Sequence, residues 1–189
     1  MNRSEITEDG KLYHSFLDGD TTAYDQLMIR HGDSLTLYLF GYLHDWQDAE
    51  DLMIEAFARI LVKKPHIRSG NFKAYLFKTA RNLATDFHAL RKRVDVFSLE
   101  ELETELPGGN MPEEMLQEAE TKRILQICME RIDPMIQEAL WLVYRENLSY
   151  AETAAVMRIS SKKVDYLLGK GKKLMREELK KEGISGAYE

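Results

Sequence analysis

The chain has 189 residues, 44% hydrophobic and 31% charged, with a formal net charge of −6. That is the size of one medium domain or two small ones, with enough apolar residues for packed cores. No run approaches the roughly 20 apolar residues of a membrane span, the single cysteine excludes an intrachain disulfide, and a pI near 5.5 excludes a surface that is cationic throughout.

The N-terminal stretch MNRSEITEDGKLYHSF is polar and acidic and lacks the apolar segment of a signal peptide. Cys128 stands among Ile124, Leu125, Ile127 and Met129, the surroundings of a buried, inert thiol. Together these point to a reducing, cytoplasmic compartment without direct membrane insertion.

Helical spacing then dominates. Asp20-Thr21 offers an N-cap before AYDQLMIRHGDSLTLYLFGYL, in which Leu27, Leu35, Leu39 and Leu43 recur on one face. Asp45 caps a second predicted helix, WQDAEDLMIEAFARILVKK, which Pro65 stops. On it Asp48, Asp51, Glu55 and Arg59 share one face at spacings of three and four, beside an apolar stripe of Leu52, Ala56 and Ile60. Ser69-Gly70-Asn71 reads as a loop, and a third helix is predicted from Phe72 to about Arg93. This helix mixes aromatic and basic residues, a combination suited to unstacked single-stranded bases. Its Phe77 and Leu83 are expected in the core.

Charge is segregated along the chain. From Lys63 to Arg93 the only acid is Asp86, whereas Val94 to Glu120 contains no Lys or Arg and carries Pro107-Gly108-Gly109 and Pro112. Residues 96–120 read as a flexible acidic linker between a first domain, 1–95, and a second, 121–182, with 183–189 as a tail.

In the second half Asp133-Pro134 opens a predicted helix, PMIQEALWLVYREN. Next, Ser149 and Glu152 form a capping box before AETAAVM, whose alanines 151, 154 and 155 allow close crossing. Arg158-Ile159-Ser160 is a turn, and Ser160 or Ser161 caps a last helix with Val164, Leu167, Leu168 and Leu174 inward. Lys162, Lys163, Tyr166, Lys170 and Lys173 are left outward, as on a helix that enters a DNA major groove. The fold class expected is all-α, in two small helical domains.

DAEDLMIEAFARIL (48–61) followed by FKAYLFKTARNLATDFHALRKR (72–93) resembles the second conserved region of bacterial sigma factors, and LSYAETAAVMRISSKKVDYLL (148–168) resembles their fourth. The short linker between them matches the extracytoplasmic-function (ECF) group. The resemblance implies a non-enzymatic, cytoplasmic bacterial protein that binds core RNA polymerase and directs promoter recognition. Asp48, Asp51 and Glu55 would dock on the coiled coil of the largest polymerase subunit, and the second domain on its flap region. Arg68, Ser69, Asn71 and Asn82 would form a pocket for a base of the −10 element. Lys78, Arg81, His88, Arg91, Lys92 and Arg93 would hold the melted strand. Ser160, Ser161, Lys162, Lys163, Asp165, Tyr166, Lys170 and Lys173 would meet the −35 duplex. An anti-sigma factor is a further implied partner.

Five residues depart from the commonest pattern of the last helix, in which a basic residue, a small polar residue and an arginine follow the valine where this sequence has Asp165-Tyr166-Leu167. Gly169 and Gly171 stand where bulkier residues are usual, and Asp165 lies among the lysines, either to accept from a cytosine amino group or to pair with Lys162 or Lys163. The histidines, His14, His31, His44, His66 and His88, show no metal spacing, and no phosphate-cradling glycine loop or nucleophile elbow is present, so neither a metal nor another cofactor is expected. Two other readings stay open: a stand-alone helix-turn-helix regulator, and a sigma-like decoy that binds regulatory proteins. A repressor has no use for the carboxylate row or the aromatic-basic helix, and the intact basic helix weighs against a decoy.

Overall fold

A computed structural model describes residues 7–67, 71–91 and 123–183, and the acidic linker expected at 96–120 lies outside them. All regular structure among the described residues is helical: α1 (Glu8–Leu17), α2 (Thr21–Leu43), α3 (Trp46–Lys63), α4 (Phe72–Arg91), α5 (123–130), α6 (Pro134–Leu140), a π-helical turn (Trp141–Arg145), α7 (Tyr150–Met157) and α8 (Ser161–Lys181).

Local chemistry sets the boundaries. Asp20, Asp45, Asp133, Ser149 and Ser160 each accept a backbone N–H of the first turn that follows, which satisfies a donor the helix cannot. The Ser149–Glu152 capping box closes in both directions. α2, α3 and α7 end on His44, Lys64 and Arg158, with φ of 52°, 43° and 57°. Each takes the left-handed C-terminal turn that glycine usually supplies, at roughly 1–2 kcal/mol of local strain. Among these helices α1 is the one the spacing of the sequence did not announce. Thr7 caps it, and Tyr13 and Phe16 are its buried face.

Helices α1–α4 enclose one core. Tyr13, Leu27, Leu35, Tyr38, Leu39, Phe57, Ile60, Phe72, Leu76 and Phe77 are all essentially inaccessible there. Burying such side chains stabilises the unit by about 1.5–3 kcal/mol each before the entropy of ordering them is counted. Two tyrosine hydroxyls cross between elements: Tyr13 Oη donates to the carbonyl of Pro65 at 2.8 Å, and Tyr24 Oη to that of Phe57 at 2.6 Å. Burial pushes the Tyr13 phenol up to about 12, so it stays a donor at neutral pH.

Helices α5–α8 bury Cys128, Ile136, Ala139, Leu142, Val156, Met157, Val164 and Leu168, and apart from Cys128 these join the apolar residues of α1–α4 in one continuous cluster. α8 packs on both α6 and α7, and α7 packs on α4, so the two units touch. Ala154 is buried at the helix crossing as expected, but Ala151 and Ala155 are exposed and line a cavity against the first unit.

Candidate functional site

Three surfaces carry the residues singled out by the sequence. The first is on α3. Leu52, Ala56 and Ile60 are buried, which turns Asp51 and Glu55 outward, while Asp48 is half-buried near the helix start. Glu55 pairs with Arg59 at 2.8 Å, and Asp51 accepts from Gln47 Nε2 at 3.3 Å. Next to this row, a groove of about 410 Å³ between α2 and α3 is lined by Asp33, Leu37, Trp46, Glu50, Met53 and Ile54. Trp46 is anchored by stacking on Phe40, with ring centroids 4.5 Å apart, and still leaves half its surface exposed.

The second surface is on α4. Phe72, Leu76, Phe77 and Leu83 are core residues, and of these Phe77 and Leu83 were expected there. Asn82 lines a pocket of about 170 Å³ with Arg59, Lys63, Tyr75 and Thr79. Asn71 and Lys78 line a different cavity, of about 410 Å³, together with His66, Tyr75, Ser149 and Glu152. Tyr75 is the wall common to both, and the two asparagines therefore do not share one pocket. One expected strand contact is corrected: His88 is buried, with Nε2 2.8 Å from the carbonyl of Tyr42, on the inward row it shares with Leu76, Ala80 and Ala84. Arg91 closes α4, while Arg68, Ser69, Lys92 and Arg93 lie outside the described residues.

Arg81 is the most constrained of the set. Its Nε donates to Glu138 Oε1 at 2.8 Å, and Tyr38 Oη donates to the same oxygen at 2.7 Å. Burial alone would favour a neutral guanidinium, but the Glu138 carboxylate outweighs it and holds Arg81 charged. Burial, reinforced by the same carboxylate, pushes the Tyr38 phenol far up, so Tyr38 remains a donor. A parallel contact joins Glu146 to the first unit: Ser34 Oγ donates to it at 2.6 Å and Lys73 Nζ reaches it at 2.8 Å. Lys73 Nζ also donates to the Glu146 carbonyl at 2.7 Å. Glu146 follows the π-helical turn, and its N–H closes that wide turn on the carbonyl of Trp141 at 3.1 Å.

The third surface is α7–α8. The turn at Arg158 sets the helices across each other, and Ser160 caps α8 by accepting from Lys163 N at 3.2 Å. Val164, Leu167 and Leu168 are buried, and Leu174 is partly so. Ser161, Lys162, Lys163, Asp165, Tyr166, Lys170 and Lys173 are all exposed. Lys163 Nζ lies 5.0 Å over the Tyr166 ring, and Tyr166 keeps 58% of its surface open. Asp165 makes no salt bridge among the described residues, so the alternative of a pair with Lys162 or Lys163 is not the one adopted. Lys172 Nζ lies over Tyr144 at 5.4 Å and extends the cationic face toward the π-helical turn.

The partners of Arg81 and Lys73 were missed in the sequence. One signal was present: Glu138 is an acid set between Ile136, Ala139 and Leu140, all core residues. Among the described residues no group of His, Cys, Asp or Glu is placed to hold a metal ion, and no helix is long and apolar enough to cross a membrane.

Comparison with known proteins follows the same division. The family models for sigma-70 region 2 and sigma-70, region 4 match residues 27–94 and 122–175. The chain is 26% identical over 167 residues to the ECF RNA polymerase sigma factor SigE of Mycolicibacterium smegmatis, covering 86% of this chain and 65% of that protein. It is 31% identical over 142 residues to the ECF sigma factor BldN of Streptomyces coelicolor, covering 74% and 53%. The chain thus spans less than two thirds of the length of these two relatives. SigM of Bacillus subtilis, at 27% identity, is covered to 82% of its length. Two solved structures share the fold: CnrH in complex with the cytosolic domain of CnrY (TM-score 0.59, 22% identity, 89% of this chain and 95% of that one), and RpoE with the anti-sigma factor NepR from Bartonella quintana (TM-score 0.62, 18%, 83% and 96%).

Proposed function

Because the chain belongs to the ECF group of the sigma-70 family, we propose that it is an alternative sigma factor, a dissociable subunit that gives core RNA polymerase its choice of promoter. The observation that carries this reading is one chain holding both an exposed carboxylate row on α3 and an exposed cationic helix, α8, at the end of a helix-turn-helix. A regulator that binds duplex DNA alone needs only the second.

Residues 1–95 act as the polymerase-docking and −10 unit, 96–120 as the tether, and 121–182 as the −35 unit. Asp48, Asp51 and Glu55 orient the chain on a basic coiled coil of the largest polymerase subunit, since complementary charge steers encounter and fixes register. Asn82, in its small pocket with Tyr75 and Thr79, receives an unstacked base. The lysines of α8 neutralise phosphates of the −35 duplex, and the first turn of the helix reaches base edges. Catalysis of nucleotidyl transfer belongs to the polymerase, and the chain works in the bacterial cytoplasm. The groove beside Trp46 and Ile54, apolar within and rimmed by Asp33 and Glu50, suits an amphipathic helix of an anti-sigma factor.

The test is reconstitution with bacterial core polymerase. Co-elution as a stoichiometric complex, followed by run-off transcripts from discrete genomic start sites, supports the reading. A folded chain that neither co-elutes nor stimulates transcription refutes it.

A further inference from the structure

We propose that Tyr13 is a positioning residue for −10 recognition: from α1 it ties down both ends of the turn between α3 and α4, and so sets where that turn meets the melted strand. The inference rests on reading that turn and α4 as the −10 unit, and it gives α1 a part in a contact that α1 does not itself make.

Helix α3 runs out at Lys64, which takes a φ of 43°, and Pro65 bars a further helical turn. α4 begins at Phe72, and the carbonyl of Asn71 accepts its first ladder bond from Tyr75 N at 2.9 Å. A carbonyl outside a helix has no ladder partner and must find a donor elsewhere or face water. That of Pro65 finds Tyr13 Oη at 2.8 Å, across 52 residues of sequence. The Tyr13 ring lies 5.2 Å from that of Phe72, and both side chains are 1% exposed. One side chain thus holds the residue that ends the path from α3 and the residue that starts α4. Phe16, three positions on and on the same face of α1, has Lys64 Nζ 5.0 Å over its ring.

α1 is itself fixed. Thr7 Oγ1 accepts from Gly10 N at 3.1 Å, and Asp9 meets Arg30 and His31 of α2 at 2.7 and 2.8 Å. Next to the braced residues stand His66 and Asn71, both exposed, which line the cavity of about 410 Å³ with Tyr75 and Lys78. His66 follows Pro65 and Asn71 precedes Phe72, so a shift of either braced residue moves a wall of that cavity. Side chains that select a base by hydrogen bonds must be held to within about 0.5 Å. Selectivity at the −10 element therefore depends on a buried hydroxyl that touches no DNA.

The test uses holoenzyme made with the whole chain, on a promoter mapped by run-off transcription. Each −10 base is substituted in turn, and strand opening is read by permanganate oxidation of thymines near the start site. Discrimination is the ratio of opening on the unsubstituted promoter to opening on the substituted one. Tyr13→Phe removes the hydroxyl and keeps the ring against Phe16 and Phe72. Tyr24→Phe is the matched control: it loses an equivalent bond, from Tyr24 Oη to the Phe57 carbonyl at 2.6 Å, within α3 rather than beyond its end. A merely structural loss moves the two variants alike. Tyr13→Phe should lower discrimination at one or more −10 positions by about threefold or more, the scale of one hydrogen bond. Its discrimination at −35 positions and its co-elution with core polymerase should match the wild type, and Tyr24→Phe should match it throughout. Because discrimination is a ratio within each variant, a uniform loss of folded protein cancels. If Tyr13→Phe discriminates as the wild type does, or Tyr24→Phe loses as much, the brace is overturned while the −10 reading stands. A wild type indifferent to every −10 substitution overturns the −10 reading, and the brace with it.

Discussion

A methyl carbon on Gly171 would lie 2.7 Å from Cγ2 of Ile136 and 3.1 Å from Cδ1 of Leu140, so α8 reaches α6 only because position 171 has no side chain. Gly169, two residues and about half a turn away, has open space where a Cβ would be. The two glycines that depart from the usual pattern of the helix thus have different causes. Gly171→Ala should cost about 1–3 kcal/mol through overpacking. Gly169→Ala should stabilise by up to about 1 kcal/mol through helix propensity. Urea unfolding of the two variants, followed by circular dichroism, should separate them in sign.

Charge reversal on α3 tests the docking surface. Asp51→Arg with Glu55→Arg leaves the buried stripe of Leu52, Ala56 and Ile60 intact, so the fold should persist. Affinity for core polymerase should fall by roughly tenfold or more, about 1.4 kcal/mol or more. The deficit should shrink as salt is raised, because exposed charges are screened within about 10 Å at 0.1 M. Fluorescence anisotropy of labelled protein against polymerase at two ionic strengths reads both effects.

On α8, Lys162 and Asp165 should behave differently toward duplex DNA. Lys162→Ala should weaken binding across sequences and lower the salt slope by about 1, the signature of a lost phosphate contact. Asp165 is exposed and makes no salt bridge among the described residues, which leaves its carboxylate available to a base edge. Asp165→Asn should relax preference at one base pair of the −35 element and leave the others unchanged. Selection from a randomised −35 library, bound by holoenzyme carrying each variant, decides it.

Acid should loosen α1 before it unfolds the rest. Asp9 lies 2.8 Å from His31 Nε2 and 2.7 Å from Arg30 Nη1. Partial burial would raise its carboxyl, but the hydrogen bond and charge of His31, with those of Arg30, outweigh burial and hold it below the ordinary value. A depressed carboxylate contributes its full stability above the unfolded-state value, about 3.9, and loses it as pH falls through the folded one. Asp9→Asn should therefore melt below the parent at pH 7, and the gap should close at pH about 2. Equal melting temperatures at both pH values would remove the pair from the account of α1 docking.

Much of this was legible because it is local. Asp20, Asp45, Asp133, Ser149 and Ser160 sit one residue before their helices, and the chemistry of an N-cap is complete within a few positions. Phe77 and Leu83, apolar residues of a helix, were expected in the core and are buried there. His88 was misplaced because its residue type suggested a polar role, although its four-residue spacing from Ala84, Ala80 and Leu76 put it on the inward row. Glu138, Glu146 and Arg158 were not legible as partners of α4. They lie 57 to 76 residues from Arg81, Lys73 and Asn82, and no periodicity encodes which faces of the two helical units will meet. Asn71 and Asn82 belong to the same sequence motif, but Tyr75 stands between the cavities they line, and Arg68 and Ser69 of the expected pocket lie outside the described residues.

Cys128 is the sole thiol of the chain, wholly buried in the second unit, and burial, with the charges of Glu182 and Glu178, holds it above its usual range. Alkylation therefore needs a molecule in which that unit has come apart. With excess reagent and rapid reclosing, the rate of modification divided by that of a free thiol is the population of the opened form. The chain carries its own stopwatch for one half of the molecule, readable by mass spectrometry alone. Run with and without polymerase or DNA, it would tell how tightly each companion clasps the helix-turn-helix unit, without any label being introduced.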